Sequence, residues 1–186
     1  HEYTMALTYS NGLPLGTALP SFSLFGVDGR NWSAADFAEA TALVVVFTCN
    51  HCPYAIASEE RLMRLQHDFA DRGVRFVLIN PNDAKRYPDD SFDNMVRRAR
   101  ERGFPFPYLQ DETQEVARAF DAACTPDVFV FDHARRLRYN GRIDDNWQDA
   151  SKVTREDLRR AIEDVLAGRD ITFEVKPSMG CSIKWK

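Results

Sequence analysis

The feature that most restricts the fold of this chain is an apolar run that leads directly into a pair of cysteines. Ala42–Phe47 is a continuous run of aliphatic and aromatic residues, as in a strand buried on both faces of a sheet. A helical periodicity follows over about 53–72 and ends at Gly73, and Val74–Ile79 is a second apolar run. Strand, long helix and strand make a βαβ unit, so the sequence predicts an α/β protein.

Further elements are predicted on both sides of this unit. The sequence predicts a hairpin near 22–32, a short edge piece over 105–109, a hairpin of 128–131 and 137–140, and a strand over 171–175. It also predicts three more helices. The first is capped by Ser91 and runs to Gly103, the second opens on an Asp111/Gln114 capping box and ends near Phe120, and the third runs from Thr154 to Gly168. We expect a single domain over 1–186, with an N-terminal extension (1–14) and a C-terminal tail (176–186).

Composition excludes several classes of protein. With 186 residues, 44% hydrophobic content and a net charge of -4, the chain can form an ordinary core. The acidic balance and the lack of a basic tract argue against nucleic acid as a partner. No apolar run approaches the length of a membrane helix. The N-terminus lacks the features of a secretory signal, so we expect a cytoplasmic protein, in which a close cysteine pair is more often catalytic or metal-binding than structural.

The chemistry is expected at Cys49-Asn50-His51-Cys52-Pro53, where the first buried strand ends and the long helix begins. Cysteines three apart in a first helical turn face the same side, close enough to form a disulfide. The helix N-terminus offers unpaired N–H groups that stabilise a thiolate, the form that attacks disulfides. We therefore predict Cys49 as the more exposed nucleophile, Cys52 as its resolving partner and His51 as a group that favours the thiolate.

Other interpretations of this motif stay open. A zinc site would combine Cys49 and Cys52 with two remote ligands, taken from Cys124, Cys181, His67 and His133. No second pair of closely spaced ligands is present, which disfavours that site. An inert structural disulfide is disfavoured because so short a loop constrains the unfolded chain very little. His51 could also be a solvated residue at the helix start.

Cys124-Thr125-Pro126 forms a second candidate group, since it lies between a predicted helix and a predicted strand, at a point where the peptide bond before proline could be cis. Thr-Pro alone is a common entry to a strand. A lone cysteine such as Cys124 is more often a small buried apolar residue than a reactive group.

Taken together, these elements resemble the thioredoxin fold, a central mixed sheet flanked by helices. An N-terminal hairpin precedes this core, and the extra helix and short strand near 91–110 match the insertion found in the peroxiredoxin and membrane-thioredoxin branches. More narrowly, the chain resembles the peroxiredoxin-like redoxins of the thioredoxin or AhpC/TSA family. The resemblance spans roughly 15–186 and is carried by several motifs in order, at 47–54, 87–91, 106–111, 124–127, 139–145 and 180–185.

The resemblance implies roles for individual residues. Cys49 and Cys52 correspond to the nucleophile and the resolving cysteine, and Pro126 to a cis-proline that faces them. Thr125 would present backbone groups to an extended substrate. Cys124 would then lie near the site as a possible third redox thiol. Cys181 would either resolve, as the C-terminal cysteine of some peroxiredoxins does, or belong to a tail held in place by its neighbours Ile183 and Trp185, which we favour.

The chain also departs from its relatives. Thr48 replaces the tryptophan that usually precedes the first cysteine of thioredoxin. The strand Ala42–Phe47 has no counterpart of thioredoxin's buried acid, for which Asp83 is a candidate substitute. The peroxidase motif of peroxiredoxins has a threonine three residues before its cysteine, and Thr48 does not match that spacing. The position expected for its arginine is occupied by Cys124-Thr125-Pro126.

These expectations favour a thiol–disulfide oxidoreductase that uses Cys49 and Cys52 in redox homeostasis. A thiol peroxidase with antioxidant activity is the first alternative, and a non-catalytic binding module with a thioredoxin fold is the second. We expect no metal and no organic cofactor. The expected partners are protein or low-molecular-weight disulfides and a thiol that recycles the pair, with no nucleic acid and no membrane. The oligomeric state is not predicted.

Overall fold

The structure is a computed structural model that describes residues 7–186. This part of the chain contains ten strands and four α-helices. The strands are β1 (Leu7–Tyr9), β2 (Ser23–Gly26), β3 (Asn31–Ser33), β4 (Ala42–Phe47), β5 (Val74–Asn80), β6 (Tyr108–Gln110), β7 (Cys124–Thr125), β8 (Asp127–Asp132), β9 (Leu137–Asn140) and β10 (Met179–Ser182). The helices are α1 (Pro53–Phe69), α2 (Phe92–Arg102), α3 (Glu115–Ala119) and α4 (Asp157–Leu166).

Seven strands form one mixed sheet in the order β3-β2-β6-β5-β4-β8-β9. The central strands β4, β5 and β6 are parallel, as expected for a βαβ unit, and the outer pairs are antiparallel. All six residues of β4 are buried. The predicted α/β class, the N-terminal hairpin β2–β3 and the helix–strand insertion α2–β6 are therefore confirmed.

Two apolar layers cover the two faces of this sheet. Because successive residues of a strand point to opposite faces, Val44 and Val46 of β4 pack with Leu62 of α1, in a layer that also holds the apolar face of α4. Val45 and Phe47 pack on the other side with α3 and the N-terminal segment. This sandwich fixes the end of β4, where the cysteine motif begins.

A second, three-stranded sheet joins both ends of the described chain to the region of the cis-proline. Its order is β1-β10-β7, with both pairs antiparallel. The expected N-terminal extension and C-terminal tail thus each contribute a strand. Residues 1–6 of the extension lie outside the described part of the chain.

Several local predictions were wrong. β6 lies between β2 and β5 rather than at an edge, because both prolines precede its paired residues. Residues 171–175 form no strand. Helix α3 begins after Gln114, which has a positive φ, so no capping box forms. Helix α4 begins at Asp157 rather than near Thr154, whose backbone N–H donates to Asp145 instead.

The predicted cap of α2 is confirmed, since the Ser91 hydroxyl accepts the N–H of Asn94 at 3.2 Å. Within residues 7–186, no helix is long and apolar enough to cross a membrane.

Candidate active site

The cysteine motif occupies the short connection between β4 and α1. Pro53 is the first residue of α1, and Cys52 is its N-cap, so Cys49 lies just before the helix rather than in its first turn. The two cysteines are nevertheless close, because the N–H of Cys52 points back to the Cys49 sulfur, with an N···Sγ distance of 3.3 Å. The predicted position of the motif at the strand–helix junction is confirmed.

The loop between β7 and β8 faces this motif. The Thr125–Pro126 peptide bond is cis, as the resemblance implied. The Thr125 hydroxyl lies 3.5 Å from the Cys49 sulfur, and its carbonyl oxygen lies 3.4 Å from the Cys52 sulfur. The structure therefore brings Cys49 and Cys52 together with Thr125 and Pro126, which lie more than 70 positions further along the chain.

The cysteine pairing differs from the predicted one. Cys52 is bonded to Cys181 of β10, with Cα atoms 6.2 Å apart, and Cys49 is a free thiol. The predicted Cys49–Cys52 disulfide is therefore not the one that this structure contains. Ile183 is buried, as expected for a tail that is held in place by its neighbours. Cys181 is in addition bonded to the cysteine motif, which the favoured interpretation of the tail did not include.

The sulfurs are also less accessible than predicted. Cys49 is 1% exposed and Cys52 is fully buried, so both sulfurs are buried and the predicted difference in exposure between them is very small. Burial has the largest effect on the pKa of Cys49 and the negative charge of Asp90 the second largest, and they raise it to about 11. The Thr125 hydroxyl and the N–H groups of His51 and Cys52 lower this pKa, but by less. The motif thus holds Cys49 as a neutral thiol at neutral pH.

The buried acid beside Cys49 is Asp90, rather than the candidate Asp83. Nδ1 of His51 lies 2.6 Å from a carboxylate oxygen of Asp90. The carboxylate also accepts the N–H of Asn50 at 2.7 Å and the side-chain amide of Asn82 at 3.0 Å. Burial raises the pKa of Asp90, but the contacts with His51 and these donors outweigh it, so the pKa lies below its usual value.

A buried polar network extends from this carboxylate to the sheet. The Tyr108 hydroxyl donates to the side chain of Asn50 at 2.7 Å, and the Asn80 amide donates to Tyr108 and to Asp90. Burial raises the pKa of Tyr108 well above its usual value. The only sequence signal was the run of Asn and Asp residues over 80–90, which by itself indicates a loop.

Cys124 has a different environment from the other three cysteines. It is a buried free thiol whose sulfur lies 3.5 Å from the carbonyl oxygen of Pro126 and 3.9 Å from that of Ser178. Burial raises its pKa far above the usual value. Cys49, Cys52 and Cys181 instead pack with Ala55 and Tyr54 in one small cluster. A redox role for Cys124 stays a prediction.

A cavity of about 270 Å³ adjoins the cysteine cluster. Its walls include Pro126, Met179 of β10 and the rings of Tyr54 and Trp147, which are tilted by 39° with their centroids 4.0 Å apart. Tyr54 also packs against the cysteines, so it borders both the cavity and the cysteine cluster. This cavity is a candidate binding site for a substrate group.

The donor atoms of Cys49, His51 and Asp90 lie within 4.8 Å of one another and could hold a metal ion. The zinc set considered from the sequence is not assembled in this structure. Cys181 is bonded to Cys52, and His67 is an exposed residue near the far end of α1, about 20 Å from its start.

Comparisons with known proteins agree with the fold. The AhpC/TSA family model matches residues 15–140. An uncharacterised conserved protein from Geobacillus kaustophilus is 47% identical over 99% of this chain and 98% of its own, with a TM-score of 0.93. A hypothetical protein from Sinorhizobium meliloti 1021 is 40% identical over 96% of this chain and 98% of its own, with a TM-score of 0.91.

A thiol:disulfide interchange protein from Chlorobium tepidum shares the fold, at 23% identity and a TM-score of 0.64, over 83% of this chain and 99% of its own. No curated protein matches this chain. The family match covers more than half of the sequence and includes the cysteine motif and the cis-proline. This chain of thioredoxin fold therefore belongs to the AhpC/TSA family.

Proposed function

We propose that this protein is a thiol–disulfide oxidoreductase that works through Cys49 and Cys52. One observation carries the proposal: a free thiol at Cys49 lies against the N–H of Cys52, whose sulfur is itself in a disulfide. A thiol that lies beside a disulfide is placed for thiol–disulfide exchange, which proceeds through the thiolate. Membership of the AhpC/TSA family supports a redox function of the thioredoxin kind.

The reaction starts from the protein with Cys49 and Cys52 both reduced. The Cys49 thiolate attacks one sulfur of a substrate disulfide, and the other sulfur leaves as a thiolate and takes up a proton. The Cys52 thiolate then attacks the Cys49 sulfur, which releases the second substrate thiol and forms the Cys49–Cys52 disulfide. A dithiol partner returns the pair to the reduced state, so no metal or organic cofactor is required.

Three groups around Cys49 favour its thiolate, although burial and the charge of Asp90 have the larger effect. The N–H groups of His51 and Cys52 and the Thr125 hydroxyl stabilise the thiolate once it forms. His51 is fixed by Asp90 through Nδ1, and its ring stacks on Tyr87 with the centroids 6.0 Å apart. In this proposal His51 positions the reacting turn and Asp90 fixes His51, as carboxylates do for histidines in other sites.

The test is turnover of glutathione disulfide and of insulin by the reduced protein. We expect the wild type to reduce at least one of them and Cys49→Ser to be inactive. Cys124→Ser is a matched control, since it removes a buried thiol that lies outside the cysteine cluster. Failure of the fully reduced, folded wild type on both substrates would remove the proposal.

A thiol peroxidase is the second candidate. Burial of the Cys49 sulfur, at 1% exposure, favours a reactant as small as hydrogen peroxide. Its raised pKa disfavours this activity, because the thiolate is the form that attacks peroxide. Peroxide consumption that is far faster than that of free cysteine, and that depends on Cys49, would select this alternative.

A further inference from the structure

We propose that Cys181 is a third redox cysteine, and that β10 acts as an internal substrate of the Cys49/Cys52 pair. The proposal rests on the proposed function and extends it. The chain would hold its oxidising equivalent in either of two disulfides, Cys52–Cys181 or Cys49–Cys52, and interconvert them without an external reactant.

The first support is the place that β10 takes. Thr125, beside the cis-proline, is the residue expected to present its backbone to an extended substrate. In the structure β10 pairs with β7 in antiparallel register, with Cys181 opposite Thr125. The C-terminal strand thus adds to the strand edge that an external peptide would use. It also directs its cysteine to the redox motif, where Cys181 is bonded to Cys52 rather than to Cys49.

The second support is that Cys52 is shared. Its sulfur is bonded to Cys181, while its N–H contacts the sulfur of Cys49. One sulfur cannot be bonded to both partners at once. If Cys49 and Cys52 form a disulfide during turnover, the Cys52–Cys181 bond has to be exchanged or reduced.

The exchange balances without an added oxidant. The Cys49 thiolate attacks the Cys52 sulfur, the Cys49–Cys52 bond forms, and the Cys52–Cys181 bond breaks. Cys181 leaves as a thiolate and takes up a proton equivalent to the one that Cys49 lost. The number of disulfides and the oxidation state of the protein do not change.

The third support is that β10 is held by contacts other than its disulfide. Its flanks are held by backbone hydrogen bonds, from Ser10 to the carbonyl oxygen of Ser178 at 2.9 Å and from Ile183 to that of Ala123 at 3.1 Å. The Asn82 side chain accepts the N–H of Lys184 at 2.9 Å. Cys181 therefore remains beside Cys52, and the reverse exchange is intramolecular.

Disulfide mapping of the whole protein tests the proposal. The protein is equilibrated in glutathione redox buffers, quenched in acid, alkylated and digested with trypsin. Cys49 and Cys52 fall in one peptide, 31–61, and Cys181 in another. We expect the wild type to contain both isomers: peptide 31–61 linked to the Cys181 peptide with Cys49 alkylated, and peptide 31–61 with an internal disulfide and Cys181 alkylated.

Two variants sharpen the result. Cys49→Ser should contain only the Cys52–Cys181 bond, and Cys181→Ser should contain only Cys49–Cys52, while Cys124→Ser should keep both isomers. A wild type with only Cys52–Cys181 at every buffer potential would overturn the proposal. So would a folded Cys181→Ser variant in which Cys49 and Cys52 stay reduced under conditions that oxidise the wild type.

The proposed function is tested separately by substrate turnover. Wild-type and Cys181→Ser proteins that reduce glutathione disulfide equally well, with no second isomer in the wild type, would leave the oxidoreductase in place and remove the relay. A wild type that interconverts the two disulfides but turns over no substrate would remove the oxidoreductase alone.

Discussion

At the scale of single residues, the protonation of Cys49 decides how the site reacts. A cysteine beside a helix N-terminus is expected to ionise easily, but this one is buried next to a carboxylate that is itself ionised. Both effects disfavour the thiolate, and together they exceed the stabilisation by nearby N–H groups. Position at a helix end is therefore insufficient to predict an activated thiol.

The first prediction concerns the pH dependence of Cys49. Because its pKa is raised to about 11, the thiolate fraction should rise about tenfold for each pH unit between pH 7 and pH 10. Thiolate absorbance, taken as the difference between wild type and Cys49→Ser in the Cys52–Cys181 state, measures this fraction. A titration that is complete below pH 8 would contradict the assignment.

The second prediction isolates the contribution of Asp90. Asp90→Asn removes the nearby negative charge and keeps an oxygen that can accept hydrogen bonds, so the pKa of Cys49 should fall. The thiolate fraction at a given pH should then rise by about tenfold. Asp83→Asn is the matched control, and it should leave the titration of Cys49 unchanged. An unchanged titration in a folded Asp90→Asn variant would show that this carboxylate does not act on Cys49.

At the scale of elements, β10 depends on a residue without a side chain. A Cβ at Gly180 would overlap the carbonyl oxygen of Thr125. We expect Gly180→Val to force β10 away from β7, to lower the free energy of unfolding by roughly 3 kcal/mol and to reduce formation of the Cys52–Cys181 disulfide. Urea unfolding and disulfide mapping measure the two effects. Ser182→Ala in the same strand is the control, and equal behaviour of both variants would contradict the close packing.

Helices α1 and α2 are joined by a partly buried ion pair. Nε and Nη2 of Arg98 donate to Glu59, at 2.7 and 2.6 Å, and Glu59 is 2% exposed. Glu59→Gln leaves the arginine without its counter-charge and should cost about 2 kcal/mol of unfolding free energy. The exposed pair of Arg72 and Glu163 gives the comparison, since Glu163→Gln should cost less than about 1 kcal/mol. Equal losses of unfolding free energy for the two variants would contradict the expectation that burial makes the loss of the Glu59 charge more costly.

Elements with a strong local pattern could be predicted from the sequence. β4 and β5 are apolar runs, α1 has an apolar periodicity and a stop at Gly73, and α2 has a cap at Ser91 and a stop at Gly103, and each was placed within a few residues. The pairing of β6 could not be predicted, because it depends on neighbours distant in sequence. The strand β10 was missed for a related reason: Met179-Gly180-Cys181-Ser182 has little strand propensity and is held by its partners β1 and β7.

At the scale of the whole molecule, the site is an assembly of distant segments. The cysteine motif, the cis-proline loop and their juxtaposition could be predicted, because strand–motif–helix and Thr-Pro signals are local and the family resemblance relates them. Asp90 and Cys181 could not, since each reaches the motif through tertiary packing of a loop or a terminal strand. Burial of the sulfurs has the same origin, because β10 covers the motif.

The most direct test of the central claim, that Cys49 and Cys52 form a redox pair, is a redox titration of peptide 31–61. Reduced protein is equilibrated with glutathione buffers of graded potential, quenched and alkylated, and the mass of the peptide is followed. We predict that Cys49 and Cys52 lose their thiols together around one midpoint in the Cys181→Ser protein, with an internal disulfide as the product. A Cys49 that stays reduced at every potential would contradict the claim.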